Sequence, residues 1–251
     1  MSVDAVGDRY LNREFVDLWR SDNAMETIRA LWRRRLVEFL PYEPQRAIHV
    51  LDLGAGTGAL TMEILNRYPN ATVITADYSE EMLRHAREQL AKYGGKVNFV
   101  QANLRKEGWA NQLEGGFDAV VSSFVTHTMP NQAEALYREL YELVGAGGCF
   151  YSCDIYAVPG VRVGQLYHRI NLEDIQRRIK DRTGVEKSLS EVEQMRQQRD
   201  EKYRTHISDK QEESIMHPTV LDHLHWLSEV GFSEVDCLIK YRNSALLGAF
   251  R

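Results

Sequence analysis

The sequence predicts an α/β fold: a mostly parallel sheet of seven strands, completed by an antiparallel carboxy-terminal hairpin and joined by a helical cap or insertion. Three observations predict it. From about residue 46, apolar or β-branched runs alternate with amphipathic runs of helical period. A glycine-rich turn follows the first of these runs. Near the carboxy terminus, two strand-like runs (233–241 and 243–250) are joined by a short polar turn.

The elements follow in a regular order along the chain. Residues 1–45 predict two amphipathic helices, which would form part of a cap. Residues 46–155 hold five strands that alternate with helices, and such alternation requires crossovers and hence parallel strands. Residues 156–216 are polar, carry few apolar residues at helical spacing, and predict two or three exposed helices inserted at one end of the sheet. Residues 217–251 predict a last helix and the hairpin that complete the core.

Composition and charge exclude several functional classes. The formal net charge of −5 disfavours a polyanionic partner. The run Arg33–Arg35 is expected to form a solvated helix face, with a nucleic-acid patch as the alternative. The odd set Cys149, Cys153 and Cys237 lacks metal-ligand spacing and predicts buried thiols in a reducing compartment. Because no secretory signal or membrane span is recognisable in the sequence, the expected location is the cytoplasm.

The stretch "VLDLGAGTGAL" (residues 50–60) predicts a small-molecule cradle. Glycines at 54, 56 and 58 allow a sharp turn from strand to helix and a close backbone approach to a ligand. Their spacing is one residue shorter than in dinucleotide-binding loops. Asp52, inside the end of the strand, would repel phosphate and suits a cationic amino group, directly or through water. The ligand is therefore predicted not to be a pyrophosphate.

Polar side chains end the next two predicted strands. Asp77 lies where a carboxylate accepts hydrogen bonds from ribose hydroxyls, although it could instead be an ordinary acid at the start of the helix after Ser79. Asn103 ends the third strand, and its amide suits an adenine edge. Leu104 and Met82 would enclose the ring, with a core position as the alternative for Met82.

These motifs, with "ITADYSEEML", "VQANL", "FDAVVSSFVTHTM" and "ALYRELYELVGAGGCFYSCD", resemble the successive motifs of class I S-adenosylmethionine-dependent methyltransferases. The resemblance covers residues 48–155, and "HLHWLSEVGFSEVDCLIKYRNSALLGAF" (223–250) is similar to the last helix and hairpin of that family. It implies a Rossmann-like fold and S-adenosyl-L-methionine as cofactor. The implied cofactor-binding residues are Asp52, Gly54, Ala55, Gly56, Gly58, Asp77, Tyr78, Met82, Asn103, Leu104 and Ser122.

Within this set, the methionine moiety would lie on Asp52 and the glycine loop, the ribose on Asp77, and the adenine between Tyr78 and Met82. One departure concerns Asn103, because the family usually has Asp there. The amide carbonyl still offers an acceptor to the adenine N6 amino group.

Methyl transfer from a sulfonium is an in-line displacement that requires alignment and no nucleophilic side chain or metal. A base helps when the acceptor carries a proton. By its resemblance to methyl-site residues, His127 is the candidate catalytic base or orienter, with a packing role as the alternative. Aromatic and histidine side chains from the cap could line the acceptor site, although such residues more often lie in a core or an interface: Tyr10, Trp19, Tyr156, Tyr167, His168 and Tyr203.

A second group of histidines, His217, His223 and His225, invites a metal hypothesis. On a helix, however, residues 223 and 225 point to different faces, so no metal is predicted.

The sequence thus predicts a methyltransferase that acts on a small-molecule acceptor, at nitrogen, oxygen or carbon, under a helical cap. No membrane partner is expected, nucleic acid is disfavoured, and a homodimer is left open. Two alternatives stay open: an enzyme of the same fold in tRNA wobble-uridine modification, to which the tail is similar, and a non-catalytic S-adenosylmethionine-binding subunit. For the tRNA alternative, the docking face would be Arg162, Arg169, Arg177, Arg178, Lys180 and Arg182.

Overall fold

A computed structural model describes residues 9–11, 13–21, 23–204 and 218–251 of the chain. Its strands are β1 (His49–Leu53), β2 (Thr72–Asp77), β3 (Val97–Gln101), β4 (Phe117–Ser123), β5 (Val144–Ile155), β6 (Ser233–Tyr241) and β7 (Ser244–Phe250). Its α-helices are α1 (Arg13–Ser21), α2 (Asn23–Phe39), α3 (Ala59–Arg67), α4 (Glu80–Leu90), α5 (Ala133–Leu143), α6 (Val161–Thr183), α7 (Leu189–Arg204) and α8 (Val220–Glu229).

The seven strands form one sheet in the order β3-β2-β1-β4-β5-β7-β6. Strands β1 to β5 pair in parallel, whereas β7 runs antiparallel to both β5 and β6. The predicted fold class is therefore confirmed. The reversal of order beside β1 brings the carboxyl ends of β1 and β4 together at a switch point, where ligands bind in open α/β sheets.

Two apolar cores cover the two faces of the sheet. Along β5, Phe150 packs into one core, whereas Cys149 and Tyr151 pack into the other, as expected because successive strand residues point to opposite faces. The first core includes Tyr137 of α5 and Leu227 of α8, both buried. The second core is built from α2, α3 and α4.

The amino-terminal segment is anchored to this second core by α2. Trp32 and Leu36 are buried on the face of α2 that packs against the sheet. Tyr10, which precedes α1, accepts a hydrogen bond at its carbonyl from the Ser79 hydroxyl at 2.6 Å. The same hydroxyl accepts the Met82 N–H, because Ser79 is the N-cap of α4. One hydroxyl therefore joins the amino-terminal segment to the start of α4.

The arginine run of α2 departs from the prediction. Arg34 and Arg35 are exposed and pair with Glu63 and Glu38, but Arg33 is buried, with 5% of its surface exposed. The expected solvated face is thus wrong for Arg33. The reason is helical phase: Arg33 lies three residues before Leu36 on the inner face, while its neighbours are rotated outwards.

The insertion between β5 and α8 contains the helices α6 and α7, which pack on each other, and α6 also contacts the β6–β7 hairpin. Tyr241 Oη donates to Asp174 at 2.9 Å, and Arg242 lies 3.2 Å from the same carboxylate. Lys240 donates to Tyr167 Oη at 3.1 Å. The insertion is therefore fixed to the edge of the sheet. Among the described residues, no helix is long and apolar enough to cross a membrane.

The buried histidine of α8 belongs to the core. His223 Nδ1 lies 2.6 Å from the Tyr137 hydroxyl, and the ring packs edge-on to Tyr156, while His225 is exposed and pairs with Glu229. Burial lowers the pKa of His223 from 6.5 to about 4. The two histidines point to different faces, as predicted, and His217 lies outside the described residues.

We expect His223 to make the fold acid-sensitive between pH 6.5 and 4. In that window the unfolded chain binds a proton at residue 223 and the folded chain does not, so stability falls as the pH falls. The full window corresponds to about 3 kcal/mol in the free energy of unfolding. Urea unfolding at several pH values should show a flatter dependence for His223→Gln and an unchanged one for the exposed control His225→Gln; equal slopes in all three proteins would contradict this.

Candidate active site

A cavity of about 370 Å³ opens at the carboxyl ends of the parallel strands. Its floor is the loop after β1, and one side is formed by the residues after β2 and β3. The segment Ser123–Met129 after β4 contributes to the opposite side, and Tyr10 with three charged residues of α2 completes the wall. Those charged residues are Glu26, Arg29 and Arg33.

The floor depends on glycine at two positions. Gly54 has φ of +64°, and a Cβ there would lie 2.4 Å from Val125 Cγ2. Gly56 has φ of +56° and open space at its Cβ position. Ala55, between them, also lines the cavity. The loop can therefore bring its backbone close to a ligand, as the sequence predicted. Gly58 does not line the cavity; it has φ of +81° and is the N-cap of α3.

Asp77 links the ends of β1 and β2. Its Oδ2 accepts the Gly56 N–H at 2.8 Å, and its Oδ1 accepts the Ser79 N–H at 2.9 Å. Burial raises the pKa of Asp77, and these backbone donors oppose the rise. Because each carboxylate oxygen can accept a further hydrogen bond, Asp77 can still receive two hydroxyl donors at the cavity wall. That geometry suits a ribose diol.

Asp52 lies beneath the loop and is absent from the cavity lining. Its Oδ2 accepts both the Thr61 N–H at 3.0 Å and the Thr61 hydroxyl at 2.7 Å, while Oδ1 is buried and has no partner in the part of the chain that the structure describes. Burial raises the pKa of Asp52 from 3.8 to about 7. Asp52 therefore fixes the start of α3 at a cost in charge burial, and it can act on a ligand through its field rather than by direct contact.

The predicted adenine residues separate into two groups. Tyr78, Met82 and Leu104 line the cavity, and the Arg105 guanidinium lies 5.6 Å from the centre of the Tyr78 ring. Asn103 lines a neighbouring, more open cavity that shares Tyr78, and its Oδ1 accepts the Arg105 N–H at 3.1 Å. The Asn103 side chain thus reaches only the far side of Tyr78.

Ser122 has a structural contact in place of the predicted ligand contact. It is buried in β4, its hydroxyl donates to the Leu53 carbonyl at 3.2 Å, and it does not line the cavity. It therefore ties β4 to the end of β1.

His127 is held by a residue that the sequence did not indicate. Its Nδ1 lies 2.6 Å from Oδ1 of Asp154, which is fully buried at the end of β5. The other oxygen of Asp154 accepts the N–H groups of Val125 and Thr126 and the Thr126 hydroxyl. Burial alone would raise the pKa of Asp154, but the charge and hydrogen bond of His127, together with donors from Thr126 and Ile155, hold it below its usual value.

The segment that carries His127 is strained and fixed. Phe124 has φ of +59°, a left-handed conformation that costs about 1 kcal/mol for a residue with a Cβ. Its N–H donates to the Cys153 carbonyl at 2.9 Å. Phe124, Val125, Thr128 and Met129 line the cavity, but the His127 side chain does not; 29% of it is exposed next to that wall.

The predicted acceptor residues are dispersed. Tyr10 lines the cavity. Tyr156 is buried in the core against His223, while Tyr167 and His168 lie on α6. His168 contacts Arg196 and Glu193 of α7. Tyr167 and His168 therefore belong to the insertion and not to the cavity wall. The side chains of Trp19 and Tyr203 lie outside the described residues.

Replacing Asp52 by Asn should stabilise the protein at neutral and alkaline pH. Asn keeps the acceptor for Thr61 and removes the buried charge, so we expect the variant to gain stability over the wild type as the pH rises from 4 to 7, reaching about 4 kcal/mol above pH 7.

The measurement is urea unfolding at pH 5 and 8, with Asp118→Asn as control. Asp118 is the second residue of β4, at the opposite end of the strand from the cavity. Its carboxylate accepts hydrogen bonds from the Arg46 guanidinium and the His49 N–H, so its loss of charge should lower stability. The expectation would be contradicted if the gain of Asp52→Asn over the wild type in the free energy of unfolding were no larger at pH 8 than at pH 5.

The comparison with protein families identifies a methyltransferase domain over residues 50–148. The chain is 33% identical over 137 residues to a demethylmenaquinone methyltransferase of Thermus thermophilus, covering 54% of this chain and 59% of the relative. It is 23% identical to a carboxy-S-adenosyl-L-methionine synthase of Nautilia profundicola, covering 80% of this chain and 76% of the relative. The chain thus spans only about three fifths of the quinone methyltransferase.

Solved structures agree with the fold. The structure described as PigF with SAH superposes with a TM-score of 0.64 at 17% identity, covering 98% of this chain and 62% of that one. The resemblance that the motifs predicted is confirmed. Residues 50–148 match the methyltransferase-domain family, and the chain has the fold of class I S-adenosylmethionine-dependent methyltransferases.

Proposed function

We propose that the protein transfers a methyl group from S-adenosylmethionine to a small-molecule acceptor. The single observation that carries this proposal is the cavity in which the Gly54–Gly56 loop and the Asp77 carboxylate face one space of about 370 Å³. The relatives named as quinone methyltransferases support a small acceptor. Nitrogen, oxygen and carbon all remain candidates for the methylated atom.

The residues present fit this donor. Asp77 offers acceptors to the ribose hydroxyls, Tyr78, Met82 and Leu104 offer apolar surface to the base, and the glycine loop admits close approach of the amino-acid part. Bound S-adenosylmethionine supplies an electrophilic methyl group on a sulfonium. The protein's contribution is alignment: the wall after β4, fixed by Asp154, orients an acceptor in line with that methyl group.

His127 is the proposed base for acceptors that must lose a proton. The ionised Asp154 accepts from Nδ1–H of His127, which leaves Nε2 as the proton acceptor. Asp154 is a positioning residue, because it touches His127 and the backbone and not the cavity.

Nucleic acid is not favoured as a substrate. Three basic residues of α6 pair with acids of the insertion: Arg169 with Glu173, Arg177 with Asp174, and Lys180 with Glu186. Such pairing leaves little net positive surface for phosphates. A homodimer stays a prediction.

The proposal predicts that the protein binds donor and methylates small molecules. Incubation with methyl-labelled S-adenosylmethionine and a panel of amines, phenols and carboxylates should give labelled products. Asp77→Ala should weaken donor binding at least tenfold because it removes the ribose acceptors, while Asp118→Asn should bind donor normally. Tight donor binding without any labelled product would favour the non-catalytic subunit, and absence of donor binding would refute the proposal.

Activity should depend on the His127–Asp154 pair. With an acceptor that loses a proton, we expect His127→Gln to lower kcat about 100-fold without changing donor affinity, since general bases contribute at about this level. Asp154→Asn should lower kcat about tenfold. The pH profile of kcat should lose its acidic limb in His127→Gln and keep it in the control His225→Gln. An intact limb and rate in His127→Gln would assign His127 to packing alone.

A further inference from the structure

The cavity wall contains a buried arginine whose hydrogen bonds are incomplete. Only 7% of the Arg33 side chain is exposed, and its Nε has no partner among the described residues. Its Nη2 contacts Glu26, two turns earlier on α2, whose side chain is 45% exposed. Burying a guanidinium is costly unless its donors are satisfied. Arg33 is therefore positioned for a partner beyond Glu26.

The position of Arg33 points to the ligand space. Both Arg33 and Glu26 line the cavity, together with Arg29 one turn earlier. Burial raises the pKa of Asp52, and the positive charge of Arg33 opposes that rise, so the guanidinium lies within electrostatic reach of the glycine loop. Its charge likewise opposes the burial-driven rise in the pKa of Cys153 on β5.

The chemistry of this wall selects a carboxylate. A guanidinium presents its N–H donors as a planar fork that matches the two oxygens of a carboxylate. Glu26 already places a carboxylate against Arg33, so there is room beside the guanidinium for this kind of anion. Glu26 is half exposed, and its side chain can swing into solvent without stranding a buried charge.

We propose that Arg33 binds a carboxylate of the ligand in this cavity and exchanges Glu26 for it on binding. The inference rests on the proposed function, because it concerns a ligand of the same cavity. Two ligands offer the group: the donor, through its amino-acid carboxylate, and an acceptor that is itself a carboxylic acid.

Calorimetric titration tests the donor first, with S-adenosylhomocysteine and its carboxamide as probes. The carboxamide keeps the amino group and loses the charge. If the donor carboxylate binds Arg33, Arg33→Met should lower the affinity for S-adenosylhomocysteine at least tenfold. The same variant should lower the affinity for the carboxamide less than twofold. Arg34→Met, at the exposed neighbouring position, should change neither affinity. The preserved carboxamide affinity shows that Arg33→Met is folded.

The second arm tests an acceptor carboxylate with benzoate and benzamide, with and without saturating S-adenosylhomocysteine. Benzoate binding that Arg33→Met abolishes, with S-adenosylhomocysteine affinity unchanged, assigns the site to the acceptor. In either arm, Glu26→Gln should raise the affinity for the carboxylate ligand severalfold, because the ligand no longer competes with the Glu26 carboxylate. An unchanged affinity would contradict the proposed exchange of Glu26 for the ligand.

Carboxylate binding that is independent of Arg33 in both arms overturns the proposal. If neither S-adenosylhomocysteine nor its carboxamide binds the wild type, the proposed function fails instead, while the benzoate arm still tests Arg33.

Discussion

The hydrogen bond from the Gly56 N–H to Asp77 joins the two loops on which the whole site depends. β1 and β2 lie side by side and in register from His49 opposite Thr72 to Leu53 opposite Ala76, so their carboxyl ends arrive together. The bond then fixes how far the glycine loop stands from the carboxylate. Because Asp77 also accepts the Ser79 N–H in the turn before α4, the same side chain fixes both the floor of the cavity and the start of the following helix.

The site combines a rigid floor with charges that the fold holds at a cost. Asp52 and Arg33 are both buried, and each retains one polar atom without a partner among the described residues. The positive charge of Arg33 opposes the rise that burial causes in the pKa of Asp52. Such incompletely satisfied groups are costly in a core and are typical of binding sites, where a ligand completes the contacts. Asp154 differs from them because His127, Thr126 and backbone N–H groups satisfy both of its oxygens.

Local pattern was sufficient for the sheet and the glycine turn, because strand ends and turns are determined by nearby residues. Asp77, Met82 and Leu104 line one cavity, and their contact with a cofactor stays a prediction. Non-local packing decided the rest. The positions of the Tyr156 and Tyr167 side chains depend on where the insertion packs, and composition does not specify that packing. Arg33 was hidden among identical neighbours, although its helical phase relative to Leu36 was a usable signal. Asp154 follows Cys153, the β5 partner of Ser123, so only strand register brings it to His127.

The Ser79 hydroxyl joins two parts of the cavity wall that lie far apart in the chain. It caps the helix that follows Asp77 and also donates to the carbonyl of Tyr10, a residue that lines the same cavity. A ligand that displaces either part must therefore act on the other through this hydroxyl. By the reciprocity of linkage, an effect of the amino-terminal segment on binding beside Asp77 is matched by an equal effect of that binding on the segment.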